Sequence, residues 1–242
     1  FLTYLTTGQM IMNTYTICLL SILIAAQACF AQGQWTSMGS MPTSRYAHTV
    51  NDLNGKLYVV GGANTETGVY PRTAFVFDTS LSTWTQTPLR NNTIRAAHSS
   101  CVVGGKLYVM GGNDSSQTIA TMDMFDPGSG QWIEKNPMSI DRGLAACASI
   151  AGKIYVFGGM RFAGSSYYFT GMKTGEIYDT TTGIWTPMAD MPTGRWGHSA
   201  VAMNGKIYVF GGTHFQSESQ RDPIQRVQIY EPATNTWTWG SD

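Results

Sequence analysis

Four times along this chain an apolar run ends in a pair of glycines: KLYVVGG at 56–62, KLYVMGG at 106–112, KIYVFGG at 153–159 and KIYVFGG again at 206–212. Repetition at a near-constant period dictates stacked copies of one small unit, none of which can cover its apolar surface alone. After each pair comes an aromatic beside an acid and then a tryptophan: Phe77-Asp78 and Trp84, Phe125-Asp126 and Trp132, Tyr178-Asp179 and Trp185, Tyr230-Glu231 and Trp237. The step from aromatic to tryptophan is seven in every copy (84−77, 132−125, 185−178, 237−230). From tryptophan to the next glycine pair it is 26, 27, 26 and 26 (61−35, 111−84, 158−132, 211−185). From the second glycine to the aromatic it is 15, 13, 19 and 18 (77−62, 125−112, 178−159, 230−212). Rigid spacing marks the frame, and each repeat concentrates its length variation in the loop after its glycines.

Each repeat reads as a four-stranded antiparallel sheet whose strands carry, in order, a histidine, the diglycine, the aromatic–acid pair and the tryptophan. Asn-Gly or Gly-Gly turns join the first two. The strands are continuous apolar runs without clean alternation, so both faces need cover, which a ring of blades supplies. With 43% hydrophobic residues and 27 glycines, the composition fits an all-β chain able to bury a core. Fifteen basic residues balance 15 acidic ones, so no net field draws in a polyanion, and nucleic acid is not an expected partner.

The diglycine, the aromatic–acid pair and the tryptophan together resemble the Kelch repeat, over essentially everything from Trp35 to Trp237. The resemblance implies a Kelch-type β-propeller with repeats at approximately 36–84, 85–132, 133–185 and 186–237. Trp35 would then lie on an outer strand with no first three strands before it. In the family such a strand closes the ring with a blade from the opposite end, so the chain is expected to continue past Asp242 towards about six blades. A closed four-bladed ring is the alternative.

Residues 1–31 read as a signal peptide. Ile17–Ala31 is apolar or small apart from Ser21 and Gln27, and Ala28 and Ala31 suit cleavage before Gln32, with translation starting at Met10 or Met12. A buried core helix or a lipidated Cys29 are the other readings. Secretion is therefore expected, to the periplasm or outside the cell, with no membrane insertion after cleavage. Cleavage removes Cys18 and Cys29 and leaves Cys101 and Cys147. These lie one register position apart in matching strands of successive repeats, so they face opposite sides of their own sheets. They either meet between blades or point away.

Strand alternation sends the loop after the glycines and the loop leaving the tryptophan to the same face. There the third repeat carries Arg161, Phe162 and Tyr168, and the fourth carries His214 and Phe215, residue types suited to binding on a rigid frame. Arg45, Arg95, Arg142 and Arg195 open the innermost strands near the expected channel mouth. Similarity to BTB-Kelch adaptors implies that such arginines take acidic groups; a structural role is the other reading. His48, His98 and His198 recur at one position, with Ala145 in the third repeat, and read as packed core histidines. No metal or other cofactor is expected, and no recognised catalytic motif is present. Asn91-Asn92-Thr93 and Asn113-Asp114-Ser115 are glycosylation sequons. The expected function is a binding module for a protein or carbohydrate. Relatives of the N-acetylneuraminate epimerases, which act on an anionic sugar, are the enzymatic alternative. A galactose-oxidase-like copper enzyme or a structural segment of a larger surface protein also fit the resemblance.

Overall fold

The computed structural model describes residues 36–240 apart from 65, 91–93, 164–165, 169–170 and 218–219. The expected signal segment and Trp35 lie outside the described residues. Residues 39–242 form one compact unit. Blade 1 is built from β1 (Thr49–Leu53), β2 (Lys56–Val60), β3 (Thr73–Asp78) and β4 (Thr83–Pro88), paired in that order. Blade 2 repeats the arrangement with β5 (Ser99–Val103), β6 (Lys106–Met110), β7 (Met122–Asp126) and β8 (Gln131–Lys135).

Blade 3 uses β9 (Ala146–Ile150), β10 (Lys153–Phe157), β13 (Gly175–Asp179) and β14 (Ile184–Pro187). A two-stranded hairpin, β11 (Arg161–Ala163) and β12 (Ser166–Tyr168), interrupts it after the glycines. Blade 4 uses β15 (Ser199–Met203), β16 (Lys206–Phe210), β19 (Gln228–Glu231) and β20 (Thr236–Trp239), interrupted by the bulged hairpin β17 (Thr213–Ser217) and β18 (Gln220–Pro223). The two longest post-glycine segments are thus small sheets rather than irregular loops. All pairings are antiparallel, and the innermost strands β1, β5, β9 and β15 lie side by side in that order.

The registers explain the motif. Phe77 faces Trp84, Phe125 faces Trp132, Tyr178 faces Trp185 and Tyr230 faces Trp237 across neighbouring strands, with ring centroids 4.8, 5.2, 5.0 and 5.0 Å apart. The acid after the aromatic meets the lysine that opens the diglycine strand: Lys56–Asp78 at 3.1 Å, Lys106–Asp126, Lys153–Asp179 at 3.8 Å and Lys206–Glu231 at 3.1 Å. In the first three blades that carboxylate also accepts backbone N–H groups of the following turn, from Ser80 and Leu81, from Gly128, and from Thr181 and Thr182. The acid therefore fastens a strand pair and shapes a turn.

Between blades, the tyrosine of the diglycine strand reaches the aromatic of the next blade: Tyr58 to Phe125 at 5.4 Å, Tyr108 to Tyr178 at 6.3 Å and Tyr155 to Tyr230 at 5.8 Å. Three apolar clusters fill these interfaces, each with the following blade's tryptophan packed against it: Trp132, Trp185 and Trp237. On β15 and β16 themselves, Val201, Met203 and Phe210 are exposed.

The glycine pairs lock neighbouring blades together. The N–H of the second glycine donates to the carbonyl of the next blade's arginine, Gly62 to Arg95 at 2.9 Å, Gly112 to Arg142 at 2.9 Å and Gly159 to Arg195 at 2.8 Å. A Cβ on Gly61 would lie 2.4 Å from the Arg95 carbonyl oxygen, and one on Gly158 would lie 2.7 Å from that of Arg195 and 2.5 Å from the His198 ring. Only glycine permits that approach at the φ of +60 and +66 found there.

Candidate binding face

The recurrent arginines sit inside the blades. Arg45, Arg95, Arg142 and Arg195 are all buried, the last three at 1% exposure or less. In each, Nη1 donates to the carbonyl of the first glycine of its own blade: Gly61 at 3.1 Å, Gly111 at 3.2 Å, Gly158 at 2.9 Å and Gly211 at 2.9 Å. In the first three blades it also reaches a threonine four residues before the aromatic, with Nη1 on the carbonyls of Thr73, Thr121 and Thr174 and Nη2 on their hydroxyls. Their guanidinium groups thus hold innermost strand, diglycine and third strand together. The expectation of an arginine-lined anion site at the channel mouth is corrected accordingly, because these groups are desolvated and engaged with the backbone of their own blades.

What balances each buried charge differs, and the difference lies at one register position, two residues before the aromatic. In blade 1 it is Phe75, whose ring lies 4.2 Å below the Arg45 guanidinium carbon. In blade 2, Asp123 accepts from Arg95 Nη2 at 2.6 Å and from Arg90 Nε at 2.6 Å. In blade 3, Glu176 accepts from Arg142 at 3.3 Å and from the N–H groups of Ser139 and Ile140. In blade 4 the residue is Gln228, fully buried, with neither amide atom hydrogen-bonded among the described residues. Arg195 Nε and Nη2 are likewise without partners among the described residues. The fourth threonine position is Arg226, which lies against Trp239 with its guanidinium carbon 4.7 Å from the ring centroid. Burial lowers the Arg95 and Arg142 pKa values, and the facing carboxylates oppose the shift. Burial alone pushes Arg195 down to about 10, which leaves it charged at neutral pH.

The residues just after these arginines form the axis. Ala97 N–H donates to the Ala47 carbonyl at 2.8 Å, Leu144 to Ala97 at 2.7 Å and Gly197 to Leu144 at 2.9 Å. All four residues have positive φ, 53, 52, 54 and 63°. Left-handed backbone at the axis, strained at Ala47, Ala97 and Leu144, thus links blades 2, 3 and 4 each to the one before it. Beside this ladder lies a cavity of about 220 Å³ lined by Ala47, His48, Ala97, His98, Leu144, Ala145, Gly197 and His198. His98 Nε2 shares a hydrogen with the Thr49 hydroxyl at 2.9 Å, and His198 packs on Phe157 with ring centroids 5.7 Å apart. Desolvation beside Arg95 and Arg195 pushes both imidazoles down to about 3, so the wall is neutral at physiological pH. No metal-binding group of His, Cys, Asp or Glu occurs among the described residues.

One position earlier, Tyr46, Ala96, Gly143 and Trp196 bridge to the residues directly after the glycines, Ala63, Asn113, Met160 and Thr213. Tyr46 is 51% exposed. Arg161, expected on this face, is exposed and ion-paired to Asp141 at 2.6 Å. Asp141 also accepts from the Thr118 hydroxyl, whose oxygen accepts the Phe162 N–H at 3.4 Å, while the Thr118 N–H donates to the Phe162 carbonyl at 3.0 Å. The base of the blade 3 hairpin is therefore fixed to the neighbouring loop. His214 is half-buried, its Nδ1 3.0 Å from the Gly194 carbonyl. Tyr168 and Phe215 have their backbones in the two hairpins, and their side chains lie outside the described residues. Tyr46, Leu144 and Asp141 escaped the sequence reading. The signal available for the first two was their fixed offset of one and two residues from the repeated arginine.

Four antiparallel blades, each with glycine pair, aromatic–acid corner and tryptophan in one register, define a Kelch-type β-propeller. The Attractin/LZTR1 beta-propeller family matches residues 15–241, and the chain belongs to that family. Among curated proteins it is similar to Kelch-like protein 25 of Xenopus tropicalis, 27% identical over 213 residues that cover 84% of this chain and 34% of the relative. It is also similar to Kelch-like protein 15 of Danio rerio, 28% identical over 212 residues that cover 85% of this chain and 28% of the relative. The chain thus spans about a third of the length of these relatives. Among solved structures, YjhT superposes with a TM-score of 0.73 at 18% identity, covering 86% of this chain and 74% of that one, a likeness of fold.

Proposed function

We propose that this chain is a secreted recognition module that binds a protein partner on the face carrying the axial cavity and the post-glycine hairpins. Kelch propellers commonly serve as protein-interaction modules. The observation that carries the reading is the cavity of about 220 Å³, lined by apolar residues and neutral imidazoles, with exposed Tyr46 next in sequence to its lining residue Ala47. Pockets for drug-sized ligands run to roughly 300–1,000 Å³, so this one suits an inserted side chain or loop tip. Tyr46 is the kind of aromatic anchor that dominates protein interfaces, and Arg161, held by Asp141, adds a positioned polar contact at the rim. The four buried arginines support the frame, which favours a protein partner over a carbohydrate held by an arginine cluster.

The test is selection of peptides from a displayed random library on the immobilised chain, with a glycan array run in parallel. Peptides that lose about tenfold in affinity on Tyr46→Ala and on Leu144→Asp, but not on the distant Leu81→Ala, are the expected result. Glycan binding without peptide enrichment overturns the protein-partner reading. For secretion, the support is the apolar run 17–31 with Ala28 and Ala31 before Gln32. N-terminal sequencing of the exported protein is expected to start at Gln32, and retention of residues 1–31 on the exported protein refutes it.

A further inference from the structure

Cys101 and Cys147 lie on the innermost strands of blades 2 and 3, β5 and β9, which run side by side. Cys101 is buried in the apolar cluster between those blades, and Cys147 packs against the same cluster half-buried. The Cys147 thiol donates to the carbonyl of Ser100, the residue before Cys101, at 3.2 Å. Their sequence alternation, which put them on opposite faces of their own sheets, is what turns them towards each other across stacked blades.

The blade 1–2 interface shows independently that these two register positions touch. Cys101 faces Tyr108 as Asn51 faces Tyr58, and Cys147 faces Val156 as Ser100 faces Val109, so Asn51 and Ser100 occupy the equivalent places one interface earlier. There the Asn51 amide donates directly to the Ser100 hydroxyl across the interface. At the blade 3–4 interface the equivalent residues are Ala148 and Ala200, which cannot link. One repeat-defined contact therefore carries a hydrogen bond at the first interface, a dithiol at the second and two methyl groups at the third.

We propose that Cys101 and Cys147 are a disulfide-forming pair that, on meeting a disulfide oxidant, staples blade 2 to blade 3. The chemistry balances as thiol–disulfide exchange. Cys147, the more exposed thiol, loses its proton and attacks one sulfur of an external disulfide, such as oxidised glutathione. A mixed disulfide forms and one equivalent of reduced thiol leaves. The Cys101 sulfur, deprotonated in its turn, attacks the Cys147 sulfur, the interblade bond forms and the second equivalent leaves. Both protons pass to the released thiolates, the two cysteines are oxidised and the external disulfide is reduced. The order of events follows from the environment, since contact with Cys147 and burial hold the Cys101 thiol well above the ordinary thiol range. The proposal concerns the frame and is independent of the binding reading.

The experiment equilibrates the full reduced chain with oxidised and reduced glutathione, quenches with acid, alkylates free thiols and maps the digest by mass spectrometry. The expected product is a peptide pair joined through Cys101 and Cys147, lighter than the two reduced peptides by the mass of two hydrogens. Oxidation should also raise Tm by about 5–10 °C, reversed by reductant. In Cys147→Ser, whose hydroxyl can still donate to the Ser100 carbonyl, oxidation should leave Tm unchanged. Recovery of Cys101 and Cys147 separately alkylated, separately glutathionylated, or joined to Cys18 or Cys29 overturns the assignment. The wild-type peptide map decides the matter even where the variant fails to fold.

Discussion

Replacing Gln228 by glutamate gives blade 4 the carboxylate that blades 2 and 3 already have. In those blades Asp123 lies 2.6 Å from Arg95 and Glu176 lies 3.3 Å from Arg142, whereas Arg195 has two unpartnered nitrogens and Gln228 an unpartnered amide among the described residues. Desolvation of Arg195 is already part of the folded state's free energy, so the substitution adds only the desolvation of one carboxyl and gains a charge-assisted pair. Breaking a buried pair costs about 3–5 kcal/mol and a hydrogen bond to a charged group contributes about 1.5–3 kcal/mol, so a net gain of about 2 kcal/mol is expected for Gln228→Glu. For a domain of this size that raises Tm by about 4–8 °C, and in urea the midpoint should rise with m unchanged. The partner experiment is Glu176→Gln, expected to lower stability by about 3 kcal/mol. The carboxyl that Gln228→Glu installs has a folded pKa below its unfolded value of about 4.3, so its contribution is present above that pH and disappears as pH falls through the folded value. A double-mutant cycle with Arg195→Met isolates the pair. An unchanged or lowered Tm in Gln228→Glu, or a gain that survives Arg195→Met, refutes the reasoning.

Three further outcomes follow from the frame. His98 and His198, held near 3 in the fold, take up protons only in the unfolded chain between about pH 6.5 and 3, so stability is full above 6.5 and falls with acid by about 1.4 kcal/mol per pH unit for each. Urea midpoints from pH 7.5 to 4 should show that slope, and His198→Phe should reduce it; an unchanged slope refutes the assignment. Gly158→Ala meets the Arg195 carbonyl and the His198 ring, while Gly211→Ala has nothing within 4 Å, so the second should lose only the left-handed backbone cost of about 1–2 kcal/mol and the first distinctly more by chemical denaturation. Trp185 Nε1 donates to the Asn136 carbonyl at 2.8 Å but Trp132 Nε1 has no partner among the described residues, so Trp185→Phe should cost about 1 kcal/mol more than Trp132→Phe. Equal losses in thermal scans refute the difference.

The frame was legible because its residues recur at fixed offsets. The seven-residue step from aromatic to tryptophan is the register of two adjacent strands, and in the first three blades the first glycine abuts the next blade's arginine backbone too closely for a Cβ. The arginines misled because a charged residue at every innermost strand resembles a ring of ligands, while the groups that engage them lie across the variable loop. Thr73, Thr121 and Thr174, four before each aromatic, and Asp123 and Glu176, two before, were the readable signal. The hairpins β11–β12 and β17–β18 were hidden because such short strands show no periodicity and depend on the rigid blade ends beneath them. Side-chain alternation along a strand defines faces within one sheet, and only stacking decides which of those faces meet, so the cysteines' encounter stayed open at the level of sequence.

At the outer edge the blades are clasped by two different kinds of bond. Trp185 and Trp237 donate to the carbonyls of Asn136 and Ala189, four residues beyond the preceding tryptophan, and Asn136 and Asn235 add neutral bonds to Gly183 and Ala189. Between blades 1 and 2 the linker is one residue longer, 11 from tryptophan to arginine (95−84) against 10 (142−132, 195−185), and the indole of Trp132 goes unused among the described residues. Arg90 takes over there, ion-paired to Asp123 at 2.6 Å and to exposed Glu134 at 3.2 Å. Dissolved electrolyte screens the exposed Arg90–Glu134 contact and leaves the neutral clasps untouched. Brine would thus slacken the propeller at one joint, between its first two blades, while the following joints keep their grip.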